Sequence, residues 1–364
     1  MMTSRGGACN RRPGFSIGWR SAITAGEAAP PARRNCRHSF LSGFALGWAG
    51  HGAEQQKETG MGWSRLWATG WMLGAVAALG GCLKVERLAV PEAQMADARW
   101  AVARVEPAVR VDHGPWSAWL DDHLVVDAQG RTRLAYGEVT LTARQALKTY
   151  IRSLERVDVT ALTRAQQLAY WLNLYNAVVV RTVLDAYPVD SVKAIDFQGL
   201  FTFGPWAEPL VRVDGEPLSL NDIVHGILRP VFRDPRLLYG LACGALGCPD
   251  LNPVAYGAED VDAQLDRAAR AFVNSDRGLA VIDPGAGDAK SEIAVSRLYG
   301  WFRADFGGDE AGIVRHLRRF AEGARAQALA GDVAIDDYTF DWALNDATRP
   351  EARRKVDRIE APAS

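Results

Sequence analysis

The chain is 364 residues long, 48% hydrophobic and 23% charged, with a formal net charge of −1. That size suits one large domain or two small ones. No internal repeat, low-complexity block or basic stripe occurs, so neither a repeat array nor a nucleic-acid partner is expected.

Residues 1–60 mix Arg, Gly, Ala, Ser and Pro without helical or strand periodicity. Seven arginines and one lysine there face three acids, Glu27, Glu54 and Glu58. A targeting peptide has this bias, but a translated upstream segment without structure is the preferred reading, because a better start follows at Met61. From Met61 the chain runs through Arg65 into an uncharged stretch, Leu66 to Gly81. A short basic region followed by a short apolar one is the pattern of a signal peptide, and it falls below the roughly 20 residues of a bilayer span. The stretch ends Leu79-Gly80-Gly81-Cys82. This resembles the lipobox of bacterial lipoproteins, in which small residues admit the peptidase and the cysteine thiol takes the lipid. Residues 61–81 are therefore expected to be cleaved and Cys82 to be lipidated. Residue 83 is Leu rather than Asp, so the expected address is the cell envelope at the periplasmic face of the outer membrane.

Cleavage would leave 283 residues with 33 basic and 40 acidic side chains, a net charge of about −7. Three cysteines would remain: Cys82 for the lipid, then Cys243 and Cys248. In an oxidising compartment the last two can form a disulfide, a metal clip or a reactive thiol with a neighbour.

Residues 82–106 show no core signal and read as a tether; the folded part is expected over 107–347, with a flexible tail at 348–364. Thr142–Val157 is amphipathic, with Thr142 and Gln145 in a capping-box pattern. Thr163–Tyr187 is a long apolar helix opened the same way by Thr163 and Gln166, and stopped by Pro188. Val211-Arg-Val213 before Asp214-Gly215 predicts a hairpin. Ser219, with Asp222 in the capping position, opens a helix expected to end before Pro230. Leu237–Cys243 suits a buried strand. Ala258–Ser275, Ser296–Phe306 and Glu310–Leu329 read as helices, Leu279–Ile282, Ile293–Val295 and Tyr338–Leu344 as strands. Helices outnumber strands without alternating with them, which predicts α+β: a helix-rich single domain with a small, mostly antiparallel sheet.

Four segments carry chemistry. In Tyr170-Trp-Leu-Asn-Leu-Tyr-Asn-Ala177, Asn173 and Asn176 share one helix face; a buried amide pair either ties loops or faces a cleft. In Ser219-Leu-Asn-Asp-Ile-Val-His-Gly-Ile-Leu-Arg-Pro230, Asp222 lies three residues before His225 and could orient its imidazole. In Leu241-Ala-Cys-Gly-Ala-Leu-Gly-Cys-Pro-Asp-Leu251, Cys243 ends an apolar run, and Gly244 and Gly247 permit a tight loop. Tyr338-Thr-Phe-Asp-Trp-Ala-Leu-Asn345 is an aromatic run suited to packing.

Together these segments resemble the bacterial branch of the domain of unknown function 547 family, over about Trp116 to Asn345. The family patterns are a Trp-hydrophobic-Asn-Leu-Tyr-Asn-Ala helix, an Ile-Glu-His-x-Ile-Leu-Arg helix, an Asn-Cys-Gly-Ala-x-Ser-Cys-Pro loop and a closing Asp-Trp-x-Leu-Asn, matched here in order. Val224 stands where the family usually has Glu, Ala242 where it has Asn, and Gly247 where it has Ser. The resemblance implies no established reaction, so it locates a site rather than a mechanism.

Four readings stand at this point. The preferred one is a binding or scaffold module, with an unidentified protein or small-molecule ligand and a Cys243–Cys248 disulfide closing the loop. The second is a thiol hydrolase or acyltransferase, with Cys243 as nucleophile, His225 as base and Asn173 or Asn176 as orienter or oxyanion donor; no helix begins at Cys243 to lower its pKa, and the apolar run before it would raise it. The third is a metal site on Cys243, Cys248, His225 and Asp250. The fourth is a redox thiol pair, without Cys-x-x-Cys spacing. No phosphate loop, dinucleotide fingerprint or paired catalytic carboxylates occur, so no cofactor is expected.

Overall fold

The structure, a computed structural model, describes residues 83–88, 90–195, 204–285 and 289–348. Cys82, the segments 1–60 and 61–81, and the tail beyond Thr348 lie outside the described residues.

The central element is α4, Arg164–Ala186, so numbered after α1 (Leu83–Leu88), α2 (Gly114–His123) and α3 (Leu141–Leu154). Both halves of its capping box form: Gln166 N donates to Thr163 Oγ1 at 3.3 Å, and Thr163 N donates to Gln166 Oε1 at 2.9 Å. Every residue from Gln167 to Val180 is buried. A helix apolar on all sides must be wrapped on all sides, and α3, the His225 helix and α6 (Val261–Val273) wrap this one. Among the described residues no helix is long and apolar enough to cross a membrane.

The α3 cap differs from expectation. Thr140 Oγ1, not Thr142, accepts from the backbone of Ala143 at 3.2 Å. Thr140 has an extended backbone, as an N-cap requires, whereas Leu141 and Thr142 are already helical.

The strands form three small sheets: a β1 (Leu124–Val126) and β2 (Thr132–Leu134) hairpin, a β3 (Pro209–Val213) and β4 (Glu216–Ser219) hairpin, and a three-stranded sheet. The third sheet pairs β5 (Leu279–Asp283) antiparallel with β6 (Ser291–Ser296), and β6 parallel with β7 (Val333–Thr339). The helix-rich α+β class with small, mostly antiparallel sheets is thus observed. In the β3–β4 turn, Asp214 and Gly215 have φ of 49° and 81°, the two positive values of a two-residue hairpin turn.

Two strand expectations fail. Pro235–Gly240 forms tight 3₁₀ turns, and at its end the Asn176 side chain of α4, rather than a neighbouring strand, takes the Gly240 carbonyl. A short apolar run cannot distinguish the two cases. The last strand ends at Thr339, and Phe340–Leu344 continues as an irregular clamp. Leu246 N donates to Ala343 O and Gly247 N to Asp341 O, both at 2.8 Å, so the clamp lies on the cysteine loop. Glu310–Leu329 divides into α8 (Glu310–Leu317) and α9 (Gly323–Ala328) after α7 (Arg297–Trp301).

The helix opened by Ser219 does not stop before Pro230. It widens over Asp222–Leu228 to a π-helix, with Arg229 N bonded to Val224 O, and continues as α5, Arg229–Phe232. Pro230 therefore falls in the first turn of α5, where a missing N–H is tolerated. The same geometry frees the carbonyl of His225, since its fifth residue on is that proline. Gln94 N takes this carbonyl at 3.0 Å, and Ala96 N takes that of Gly226 at 3.1 Å. A Cβ on Gly226 would meet the Ala96 Cβ at 3.0 Å, so glycine lets this strap lie close. Part of the stretch read as a tether is thus packed: Trp100 is 2% exposed and meets Trp171 edge-on at 5.4 Å.

Candidate functional site

The His225 helix, the cysteine loop, the aromatic clamp and α7 surround a cavity of about 260 Å³. Its walls are mainly apolar, with Val224, Leu238, Leu241, Trp301, Phe302, Phe340 and Trp342 among the lining residues. Its polar lining comes from Glu86, Lys193, Asn221 and His225. Both Cys243 and Cys248 line it, as does Tyr175 of α4. An aromatic pocket with few polar groups is the usual form of a small-molecule site.

His225 is 8% exposed. Its Nδ1 lies 2.6 Å from Arg229 Nη1. A guanidinium only donates, so Nδ1 must be unprotonated and Nε2 carries the hydrogen. Among the described residues Nε2–H has no hydrogen-bond partner. Arg229 is itself fixed: its Nη2 and Nε donate to the Asp305 carboxylate at 2.6 and 3.1 Å, and Nη1 donates to the Pro91 carbonyl at 3.0 Å. The imidazole stacks on Phe302, with centroids 5.8 Å apart and planes 7° apart. Burial, and secondarily the Arg229 charge, lower the His225 pKa to about 4, against a smaller opposing effect of Asp222. At neutral pH the ring is a fixed neutral donor, which is the wrong state for a general base acting through Nε2.

Asp222 does not orient this ring. Its Oδ2 accepts from Ser219 N at 2.8 Å and Ser219 Oγ at 2.6 Å, which caps the helix. Val224 lines the cavity as one of its apolar side chains.

Asn173 and Asn176 are 0% and 2% exposed and do not line the cavity. Asn173 donates to Tyr256 O at 2.9 Å and accepts from Tyr256 N at 2.8 Å. Asn176 donates to Gly240 O at 2.8 Å and accepts from Ala242 N at 2.9 Å. Both amides are consumed in holding backbone, which leaves neither free to orient His225 or bind an oxyanion. The Trp-Leu-Asn-Leu-Tyr-Asn helix contributes Tyr175 to the cavity instead.

Cys243 and Cys248 are paired as a disulfide, with Cα atoms 5.8 Å apart, a usual separation for such a bond. A bonded sulfur is not a thiolate nucleophile; Cys243 and His225 line the same cavity, whereas Asn173, Asn176 and Asp222 are engaged away from it. The loop is shaped by its glycines. Gly244 has φ of 78°, and a Cβ on Gly247 would meet the Asp341 backbone N at 2.7 Å. The close approach of the clamp therefore requires glycine at position 247. The metal set does not assemble either. Asp250 pairs with Arg277 and accepts from Thr132 N at 3.1 Å, and among the described residues no three His, Cys, Asp or Glu side chains gather to hold an ion.

Sequence reasoning missed Arg229 as the partner of His225, although the i, i+4 spacing on a helix was a usable signal. Asp305, Glu86, Lys193 and Trp301 reach the site through tertiary packing and carry no local signal. No curated protein and no solved structure matches the chain. Residues 159–273, which hold α4, His225 and both loop cysteines, match the family model described as Protein of unknown function, DUF547.

Proposed function

We propose that the protein is a lipid-anchored binding module of the cell envelope, held through Cys82 at the periplasmic face of the outer membrane. Its ligand is a small, largely apolar molecule with a hydrogen-bond acceptor. The observation that carries this reading is the aromatic cavity with His225 locked as a donor by Arg229 and Asp305. The Cys243–Cys248 bond serves as a brace for one wall, consistent with an oxidising compartment. The net charge of the mature chain and the absence of a basic stripe argue against nucleic acid.

The test uses prodan, an uncharged fluorescent ketone whose emission shifts to the blue in apolar surroundings. Saturable, blue-shifted binding is expected, weakened about tenfold in His225→Phe by loss of one hydrogen bond and weakened also in Val224→Phe, whose ring takes up part of the cavity. Unsaturable binding, or equal affinity in Val224→Phe, refutes the reading. Anchoring is tested separately by metabolic labelling with an alkynyl fatty acid, which Cys82→Ser must abolish. Maleimide must label neither Cys243 nor Cys248 before reduction and both after it; rapid labelling of Cys243 in untreated protein would restore the thiol reading.

A further inference from the structure

The mouth of the cavity holds an ion cluster that the reading above does not use. Glu86 of α1 lines the cavity, and its carboxylate is gripped from three sides. Arg297 Nη1 lies 2.9 and 3.0 Å from its two oxygens, Trp301 Nε1 donates at 3.2 Å, and Lys193 Nζ stands 3.8 Å away. Lys193 is in turn seated over the Trp342 ring, 4.0 Å from its centroid. Two cations and an indole N–H, Arg297 and Trp301 from α7 and Lys193 from the turn Val192–Ala194, thus converge on one carboxylate beside an apolar, aromatic chamber. Convergent donors of this kind bind an anion, whichever molecule carries it.

The carboxylate comes from an element that can leave. α1 has six residues, Leu83–Leu88, too short to be helical without its packing. Besides the Glu86 cluster, it rests through Leu83 on Gly300 of α7, where an added Cβ would meet both Leu83 methyl carbons at 3.0 Å. The strap that follows is secured independently. The Pro91 carbonyl is held by Arg229, Gln94 and Ala96 bond the His225 helix, and Trp100 is buried. Lifting α1 therefore opens the cationic mouth without unfolding the strap.

We infer that Glu86 is an internal stand-in for the anionic head of the ligand, so that the cavity takes an anionic amphiphile whose carboxylate or phosphate displaces Glu86 from Lys193, Arg297 and Trp301 while its chain enters between Trp301, Phe302 and Trp342. This rests on the cavity being a binding site and adds the charge of the ligand and the competition with α1. The exchange is carboxylate for anion and involves no covalent step.

The experiment is prodan displacement from the full chain carrying Cys82→Ala, so that it stays unlipidated, with four ten-carbon probes: decanoate, decyl phosphate, decanol and decyltrimethylammonium. Decanoate or decyl phosphate is expected to displace prodan at a concentration at least tenfold below that of decanol, with the ammonium probe weakest. The tighter of the two anions identifies a carboxylate or a phosphate head. Glu86→Gln should tighten the anions about tenfold by removing the competitor and leave decanol unchanged. Lys193→Met should weaken the anions alone. Decanol equal to both anions, or anion binding lost in Glu86→Gln, overturns the inference while leaving an apolar-ligand cavity standing. A chain that takes neither prodan nor decanol refutes the cavity reading as well.

Discussion

The asparagine pair of α4 and the His225 group of the neighbouring helix are both buried polar clusters, yet they do different work. Asn173 and Asn176 each meet one backbone N–H and one backbone carbonyl of the chain that passes them. Their hydrogen bonds begin and end inside the fold. His225, Arg229 and Asp305 form a line in which every group but one is answered by protein, and the unanswered Nε2–H belongs to a ring that lines the cavity. The lesson is that burial alone does not mark a site. A polar cluster that closes on itself is a brace, and one that stops a single donor short at a cavity wall leaves a hydrogen bond for another group to complete.

Four measurements would break or sharpen that contrast. The largest effect is expected from Arg229→Leu, which removes a buried guanidinium from the partly buried Asp305 carboxylate and from His225 Nδ1. Urea unfolding should show a loss of about 3–5 kcal/mol, with weakened prodan binding in the protein that remains folded. Asn176→Ala should follow, at about 2–4 kcal/mol, because two buried backbone groups lose their partner; prodan affinity at a temperature where the variant is folded should not change. If Asn176→Ala abolished binding while keeping stability, the two clusters would have to exchange roles.

The third measurement is the pH dependence of stability. Burial lowers the pKa values of His113, His225 and His316 to about 4 from an ordinary value near 6.5. In that window the unfolded chain binds more protons than the folded one, so stability is fully present above about pH 6.5 and falls as pH drops towards about 4. The urea midpoint should decline over this range. In His225→Gln the decline attributable to histidines should be shallower by about a third, and an unchanged profile would show that His225 does not titrate as its surroundings require. The smallest effect is expected from Gly226→Ala. The new methyl meets Ala96 at 3.0 Å, and easing the strap away should destabilise by about 1 kcal/mol, with faster proteolysis between residues 90 and 100.

Much of the fold was legible along the chain because it rests on local rules. The Thr163–Gln166 cap, the largely apolar run after it and the Asp214-Gly215 turn each declare themselves within a few residues. Errors arose where two local signals competed or where a distant group intervened. Thr140 pre-empted Thr142 as a cap, and Pro230 was absorbed by the wider helix before it instead of ending that helix. Leu237–Cys243 had the apolarity of a strand, but the Asn176 side chain of α4, not a neighbouring strand, bonds its Gly240 carbonyl and Ala242 N–H.

The site divides the same way. The asparagine helix, the histidine helix and the cysteine loop stand out along the chain, and the fold brings a residue of each to one cavity. The sequence by itself determined the helical spacing that lets Arg229 reach His225. Only the tertiary structure decided what each polar group does. Asp305, Pro91 and Gln94 come from remote positions to fix Arg229 and the His225 carbonyl, and this fixing converts a candidate base into a donor. The physical reason is that a side chain's role depends on which of its hydrogen-bonding atoms remain unanswered. That is a property of every neighbour in space and of no single stretch of chain.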